Sequence, residues 1–390
     1  MKSRLLLLLG SIMIVSLVVT SAPVLGRSNS ASELGLGFDL RVELLRRLGG
    51  MPSFSACIVR GEEVIWDGAW GWADVYQSIP ATEETQYVIG SVSKVIAAIA
   101  ILQLAEDGLF SLDDDVSPFL PFDLRNPAFP DVPITFRMLL SHTASLAGVN
   151  EHFFPTFYFR PYEFAELGAF LTPSGAEYLP AYWRDVPPGN GMEYANIGFE
   201  LIALLVERVS GQTYSDYVEG AIFEPLGMAD STFTAADASE PAMPYMALLG
   251  IPIPMDHYEI GSLGAGGLRT TLADLAQLAA ALMNGGALRD GRILEPASVA
   301  EMQSIQAVGS PGDPFDYGLG WAVFREGDLG GHSGGAFGCR TMMQVRLSDR
   351  TAVIYSFNRL NPALPPGLTP LLNYAASRIE TILWDLAGRL

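Results

Sequence analysis

The chain has 390 residues, of which 49% are hydrophobic and 17% charged, and its formal net charge is −20. This length and a mean hydropathy of +0.27 indicate a globular protein of one large domain or two smaller ones, and exclude an extended disordered chain. The acidic excess leaves no basic stripe that would neutralise phosphates, so we expect no nucleic-acid partner.

The first 26 residues have the pattern of an export signal. Lys2 and Arg4 precede an apolar run over Leu5–Val19, and small residues follow this run up to residue 26. We predict a signal peptide over residues 1–26 and a linker over residues 27–37. The alternative is an uncleaved N-terminal membrane anchor, since residues 5–26 are just long enough to span a bilayer. Either interpretation predicts an exported protein, either secreted or tethered outside the cytoplasm.

A helix over residues 38–48 and a β-hairpin are the first elements predicted after the linker. Two β-rich runs, Phe54–Arg60 and Glu63–Trp72, are joined by Gly61-Glu62, which is typical of a hairpin. The next segment, Val92–Leu104, is apolar on nearly every face. This pattern predicts a helix that is buried on all sides.

From about residue 113 to residue 306 the pattern is mostly helical, and strand patterns return near the C-terminus. The elements predicted in these regions are helices Phe199–Val209, Tyr214–Ile222 and Thr271–Met283, strands Gly320–Arg325, Cys339–Leu347 and Thr351–Phe357, and helix Leu371–Leu386. Strands at both ends with helices between them predict an α+β fold, an α/β sandwich whose sheet is completed by both chain ends and flanked by helices. We expect one domain over residues 38–390, with a helical subdomain at about 113–306.

Lysine is almost absent from this chain. The lysines are Lys2 and Lys94, and the other 21 of the 23 basic residues are arginines. A buried lysine amine readily loses its proton and becomes a base, which an arginine guanidinium does not. Ser91 precedes Lys94 by one helical turn, so the two residues are a candidate nucleophile and base. A serine falls three positions before a single lysine by chance in about one case in fifteen. The alternative interpretation is a lysine that snorkels from a helix end.

Two further segments carry candidate site residues. Tyr194 and Asn196 follow a proline-rich loop, and residues two apart in extended backbone point to the same side. His332, Gly334 and Gly335 lie in a glycine-rich stretch that would let a substrate approach closely and leave amide donors for an oxyanion. The plainer interpretations are a helix-start loop capped by Asn196 and a simple glycine turn.

Neither the cysteines nor the histidines are spaced as metal ligands, and we expect no metal and no cofactor. Cys57 and Cys339 both lie in strand-like segments, and in an exported protein a disulfide and two buried free thiols are both open. The four histidines are scattered along the chain and form no HExxH motif.

The three motifs, in this order, resemble the pattern of the serine β-lactamase and penicillin-binding-protein-like hydrolases, in the branch of class C β-lactamases, D-peptidases and related esterases. The family pattern is SxxK, then YxN, then K/H-x-G near the end. It stands here as Ser91/Lys94, Tyr194/Asn196 and His332/Gly334. The likeness extends over about residues 40 to 385 through further segments such as Leu139-Leu140-Ser141-His142-Thr143.

This resemblance implies an antiparallel sheet of about five or more strands and acyl transfer through a covalent ester on Ser91. Lys94 and Tyr194 would act as a coupled pair that takes the proton of the Ser91 hydroxyl. The backbone amides of Ser91 and Gly335 would hold the oxyanion. The substrate implied is a small ester, amide or peptide.

Asn196, His332 and Gly334 would bind that substrate. His332 stands where classical β-lactamases carry lysine. An imidazole with an unperturbed pKa of about 6.5 is only partly charged at neutral pH, so we expect a weak, pH-dependent grip on a substrate carboxylate. Two segments, His152–Trp183 and Pro241–Tyr258, are candidates for a roof over an acyl pocket, or else for loops that pack on their own domain.

Three functions are consistent with these motifs. The first is an exported serine hydrolase of esterase or D-peptidase type. The second is a β-lactamase or a penicillin-binding carboxypeptidase. The third, from another class, is a catalytically silent scaffold that binds a partner. The sequence leaves the natural substrate and the oligomeric state open.

Overall fold

The structure is a computed structural model, and it describes residues 36–148, 166–248, 251–325, 328–360 and 369–390. The predicted export segment and nearly all of the linker lie outside these ranges, as does most of the first half of the candidate roof segment His152–Trp183. Within these ranges, no helix has both the length and the apolar character that crossing a membrane requires.

The N-terminal part begins with helix α1 (Leu36–Leu48), which is followed by strands β1 (Ser53–Arg60) and β2 (Glu63–Asp74). The two strands are antiparallel neighbours and turn at Gly61, whose φ of +60° is a left-handed conformation that glycine adopts without strain. The predicted hairpin is therefore present.

Short strands β3 (Ile79–Pro80) and β4 (Tyr87–Val88) lead to a 3₁₀ turn over Gly90–Val92 and then to helix α2 (Ser93–Glu106). Nearly every residue of α2 is inaccessible to solvent. The helix is buried on all sides because its sequence offers apolar side chains in every direction.

The middle of the chain is mostly helical and contains helices α3 (Phe136–Leu140), α4 (Leu167–Leu171), α5 (Asn196–Ser210), α6 (Tyr214–Val218), α7 (Glu224–Leu226), α8 (Leu272–Met283) and α9 (Pro296–Gln303). Short 3₁₀ turns lie at Ser117–Phe119 and Pro180–Tyr182. The predicted helix Tyr214–Ile222 is α6 continued by a π turn over Glu219–Phe223.

This middle region also holds short strands that the sequence did not predict. They are β5 (Tyr245–Leu248), β6 (Ile251–Pro254), β7 (Arg269–Thr270), β8 (Ala287–Leu288) and β9 (Gly291–Arg292). β5 pairs with β6, β8 pairs with β9, and β7 pairs with β4, all antiparallel. Such short segments carry too little periodicity to be recognised as strands from the sequence.

The C-terminal part supplies strands β10 (Phe315–Tyr317), β11 (Ala322–Phe324), β12 (Leu329–Ala336), β13 (Cys339–Arg346) and β14 (Thr351–Phe357), followed by helix α10 (Pro370–Ala387). The main sheet has eight strands in the order β10-β11-β12-β13-β14-β1-β2-β3. Strand β1 thus pairs with β14 as well as with β2, and the sheet is formed by both chain ends. The predicted α+β fold with a helical insertion is confirmed.

The sheet separates two apolar cores because successive side chains of a strand point to opposite faces. On one face, Phe54, Ile58 and Tyr355 pack with the terminal helices α1 and α10. On the other face, Val59 and Ile354 belong to a core that also contains α2, α8 and much of the helical insertion. Helix α8 contacts β1 and β14, and α2 with the 3₁₀ turn before it contacts strand β12.

Cys57 and Cys339 are both buried and are not bonded to each other. Cys57 lies in β1, and its thiol points towards the carbonyl of Leu272. The sequence left open a disulfide or two buried free thiols, and the structure contains the two free thiols.

Candidate active site

The candidate nucleophile Ser91 lies in the 3₁₀ turn that links β4 to α2, and it is partly exposed while its neighbours are buried. Gly90 before it has a φ of +53°, and a methyl group at this position would lie 2.7 Å from the backbone nitrogen of Gly335. Only glycine fits such a close approach of two backbones. The sharp turn therefore presents Ser91 directly beside strand β12.

Lys94 lies in the first turn of α2 and is fully buried. Its amine donates hydrogen bonds to Ser91 Oγ at 3.1 Å, Asn196 Oδ1 at 2.7 Å and the Ala265 carbonyl at 3.0 Å. Burial lowers the pKa of the Lys94 ammonium to about 7, and the charge of Glu200 acts in the opposite direction. This lysine does not snorkel to the solvent, and its amine can lose a proton near neutral pH.

Tyr194, in the loop before helix α5, and Asn196, the first residue of α5, both lie next to the same amine. Asn196 is the first residue of α5, after an extended Ala195, and its side-chain oxygen accepts from Lys94 instead of capping the helix. The Tyr194 ring centroid lies 4.8 Å from Lys94 Nζ. Both residues therefore face the Ser91–Lys94 pair, and the interpretation of Asn196 as a mere helix cap is wrong.

His332 lies in strand β12 and is 3% exposed. Its Nδ1 lies 2.6 Å from the Ser333 carbonyl, which can only accept, so Nδ1 carries the proton. Its Nε2 lies 2.7 Å from the Tyr317 hydroxyl and accepts from it. Burial, together with the charge of Lys94, lowers the pKa of His332 to about 3. The expectation of a partly charged His332 at neutral pH is therefore wrong: the imidazole is neutral.

Strand β12 is not the simple glycine turn of the alternative interpretation. It pairs with β13 over Gly330–Ala336, whereas β11 covers only Leu329–Gly331 on the other edge. A methyl group at Gly334 would lie 1.7 Å from the Ile89 carbonyl and 3.0 Å from Ser91 N. The uncovered part of β12 therefore runs against the nucleophile turn, and the backbone amides of Ser91 and Gly335 belong to adjoining segments.

Two residues of this site were not assigned a role from the sequence. The His142 ring packs between Tyr194 and Tyr317, with ring centroids 4.4 Å and 4.5 Å away. Its Nδ1 accepts from the Ala195 amide at 3.1 Å, and burial holds the pKa of this imidazole well below its usual value. His142 thus supports the loop that carries Tyr194.

The second unassigned residue is Glu200, a carboxylate at 0% exposure in the middle of α5. It accepts from Ser262 Oγ at 2.5 Å and from the Ala265 amide at 2.9 Å. The available signal was a glutamate inside the predicted helix Phe199–Val209, since an acidic residue within an apolar run is seldom buried without a partner.

The second candidate roof segment, Pro241–Tyr258, contains the hairpin β5–β6. Near its end, the Tyr258 hydroxyl donates to the Phe337 carbonyl just beyond strand β12. The described part of this segment thus packs beside the end of the strand that borders the site.

The fold and the site together define a serine hydrolase of the α+β class, in which a serine just before a helix and a lysine in its first turn lie beside a glycine-rich strand. Comparison with known proteins identifies the family. A family model described as Beta-lactamase matches residues 41–376. This chain therefore belongs to the β-lactamase family of serine hydrolases.

Individual relatives agree with this membership. Penicillin-binding protein 4* of Bacillus subtilis (strain 168) is 25% identical over 336 residues, which are 81% of this chain and 70% of the relative. Among solved structures, D-amino acid amidase from Ochrobactrum anthropi SV3 shares the fold with a TM-score of 0.72, at 24% identity, covering 90% of this chain and 99% of the amidase. The octameric penicillin-binding protein homologue from Pyrococcus abyssi matches with a TM-score of 0.68 at 25% identity, covering 87% of this chain and 76% of that one.

Proposed function

We propose that this protein hydrolyses small esters or amides, including those of D-amino acids, through an acyl-enzyme on Ser91. The observation that carries the proposal is the buried Lys94 amine, 3.1 Å from Ser91 Oγ, with a pKa lowered to about 7. No carboxylate forms an ion pair with Lys94 in the part of the chain that the structure describes. A neutral amine at this distance is a base that can take the serine proton.

In the first half of the reaction, Ser91 Oγ attacks the substrate carbonyl and its proton passes to Lys94, with Tyr194 as the coupled partner. The carbonyl oxygen becomes an oxyanion, and the amides of Ser91 and Gly335 donate to it. Each such donor contributes on the order of 3 kcal/mol to transition-state stabilisation. The same proton then passes to the leaving alcohol or amine, and the acyl group stays on Ser91 as an ester.

In the second half, a water molecule attacks the acyl ester. The Lys94–Tyr194 pair takes a proton from this water and returns it to Ser91 Oγ as the carboxylic acid product leaves. Asn196 would orient the substrate next to the pair, because its side chain already contacts the Lys94 amine. Gly334 lets the strand pass this close to the Ser91 turn, since a methyl group there would lie 1.7 Å from the Ile89 carbonyl.

The neutral His332 favours an esterase or amidase over a β-lactamase or carboxypeptidase. The latter enzymes must bind a substrate carboxylate, and both ring nitrogens of His332 are already engaged, by Ser333 and Tyr317. A neutral imidazole offers a carboxylate no charge to pair with. Substrates without a free carboxylate are therefore expected to react best.

The test exposes the protein in parallel to a short-chain nitrophenyl ester, D-phenylalanine amide, a dipeptide ending in D-alanine, a chromogenic cephalosporin and a fluorophosphonate probe. We expect turnover of the ester or the amide and covalent labelling by the probe, and loss of both in Ser91→Ala. Ester turnover that survives in Ser91→Ala would overturn the nucleophile assignment. Faster cleavage of the cephalosporin or of the carboxylate-ended dipeptide would favour the second candidate function, and no labelling at all would favour the scaffold.

We also propose that residues 1–26 direct export of the protein. The support is the order of basic residues Lys2 and Arg4, apolar run and small residues. Cell fractionation with N-terminal sequencing tests the proposal. A protein found in the cytoplasm with its N-terminus intact would contradict it, and an intact N-terminus in the membrane fraction would identify an anchor.

A further inference from the structure

The further inference concerns Glu200, to which the proposed reaction assigns no chemical step. It lies one helical turn after Asn196 in α5 and is fully buried. A buried carboxylate is costly unless hydrogen bonds or a nearby positive charge compensate for lost hydration. We therefore ask which contacts and charges stabilise the Glu200 carboxylate next to the Lys94 site.

The hydrogen bonds of Glu200 hold a neighbouring turn in place. Its Oε1 accepts from Ser262 Oγ at 2.5 Å and from the Ala265 amide at 2.9 Å, which fixes the turn between these residues. The turn lies tightly on α5, because a methyl group at Gly264 would lie 2.2 Å from the Phe199 carbonyl. Glu200 therefore fixes the turn whose Ala265 carbonyl receives the Lys94 amine at 3.0 Å.

The other effect of Glu200 is electrostatic. Tyr194, His142 and His332 are the titratable groups that interact with Lys94, and Tyr214 interacts with Glu200. Tyr317 contacts both imidazoles. Burial keeps both imidazoles neutral at pH 7 and raises the pKa of Tyr214 and Tyr317 well above the ordinary value. The carboxylate charge of Glu200 is what favours the protonated form of Lys94.

We infer that Glu200 is a positioning residue of the Ser91–Lys94 pair: it fixes the Ser262–Ala265 turn that holds the lysine amine, and its charge sets how readily that amine releases its proton. The inference rests on the proposed function only for its effect on catalysis. The ionisation of Lys94 is a property of the folded protein, and it can be measured without any substrate.

The scarcity of lysine makes that measurement direct. The chain has only Lys2 and Lys94, so a Lys2→Arg variant of the full chain labelled with ¹³C at the lysine ε-carbon gives one lysine signal. In this background we expect the signal to titrate near pH 7. Glu200→Gln keeps the shape and an acceptor oxygen but removes the charge, and it should move this titration down by about one pH unit or more. The acidic limb of the kcat/KM profile for the nitrophenyl ester should move in the same direction.

Two control variants separate the charge from the mechanical role. Glu207→Gln makes the same chemical change on the same helix, where the carboxylate accepts from the Tyr214 amide at 2.8 Å, and it should leave the lysine titration in place. Ser262→Ala removes one hydrogen bond to Glu200 but keeps the charge, and it should move the titration much less than Glu200→Gln. If Glu200→Gln does not fold, Glu200→Asp retracts the charge by about one bond and should still lower the titration.

The result that overturns the inference is a Lys94 titration in Glu200→Gln that stays at the wild-type pH or moves upward. Glu200→Gln could instead lose activity while the Lys94 titration and the acidic limb of the kcat/KM profile stay in place. This outcome would make Glu200 a structural residue and contradict the role assigned to its charge. Failure of the proposed function has a different signature. In that case ester turnover persists in Ser91→Ala or is absent in the wild type, while the ¹³C titration still decides the role of Glu200.

Discussion

Two of the buried basic side chains, Arg46 and Lys94, lie in opposite layers of the molecule and have different partners. Arg46 in α1, on the terminal-helix face of the sheet, is 4% exposed and forms two hydrogen bonds of 2.7 Å to Glu43. It also donates to the Pro52 carbonyl at 2.9 Å. Lys94, on the insertion face, is 0% exposed and is held by a hydroxyl, an amide oxygen and a carbonyl.

The partners of a buried cation decide whether it serves as a structural ion pair or as a base. A guanidinium bound to a carboxylate on two sides keeps its charge and joins segments together. An amine whose hydrogen-bond acceptors are all neutral has no carboxylate bound to it, so desolvation outweighs the charge of the nearby Glu200 and lowers the pKa of Lys94. The same degree of burial thus yields a permanent ion pair in one layer and a candidate base in the other.

Lys94→Arg removes the contrast between the two cations, because it places a permanent charge where the proposed base lies. We expect this substitution to have the largest effect. We expect kcat/KM for the nitrophenyl ester to fall by about three orders of magnitude, since arginine cannot accept the serine proton. Circular dichroism of the variant checks that the fold is intact. Turnover like that of the wild type would mean that Lys94 serves only as a fixed positive charge.

Glu43→Gln tests the structural role of the buried Arg46–Glu43 ion pair, because it leaves Arg46 without its carboxylate. We expect the free energy of unfolding to fall by about 3 kcal/mol, because a buried charge loses its partner. The kcat/KM of the folded fraction should not change, since the ion pair lies on the opposite face of the sheet. Thermal denaturation with activity measured in parallel gives both quantities.

The matched control for Glu43→Gln is Asp349→Asn in the exposed pair with Arg346. Solvent screens that pair, and its loss should cost less than about 1 kcal/mol. Equal destabilisation by the two substitutions would refute the structural role assigned to the buried pair.

The pH dependence of kcat/KM in the wild type tests whether the pKa of Lys94 is lowered. In the proposed reaction the neutral Lys94 amine is the base, so we expect kcat/KM to rise with pH through about 7 and then level off. Below that pH the neutral fraction falls tenfold per pH unit, so activity two units below the limb should be about one hundredth of the plateau. A flat profile from pH 5 to pH 8 would contradict the lowered pKa of Lys94.

Tyr317→Phe is the mildest change and concerns the neutral His332. The substitution removes the hydroxyl that donates to His332 Nε2 and keeps the buried ring. We expect a loss of about 1 kcal/mol in stability from the broken hydrogen bond, with a small change in KM. Differential scanning calorimetry measures the stability, and a stability equal to that of the wild type would show that His332 finds another donor.

Much of this arrangement follows from local sequence. The hairpin at Gly61, the buried helix from Ser93 and the strand Thr351–Phe357 are encoded in composition and periodicity within each segment. The proximity of Ser91 to Lys94 is equally local, because three residues are one helical turn.

What the sequence could not predict depends on segments that meet only in the folded chain. The charge of His332 was misjudged because its burial and its bond to Tyr317 are tertiary. Glu200 had no assigned role because its partners Ser262 and Ala265 lie more than sixty residues further along the chain. Propensity and spacing carry no information about contacts of this range.

The order of strands in the sheet also has a consequence for the chain during its own synthesis. A growing chain makes β1, β2 and the helix with Ser91 early, but β14, the second neighbour of β1, comes near the end. Until then β1 has one open edge, and such an edge is prone to pair with other chains. The glycine strand that faces Ser91 is equally late, so a chain that stops before residue 329 carries the serine without the amide of Gly335. Synthesis from the N-terminus thus makes the candidate nucleophile well before the strand that completes its proposed oxyanion site.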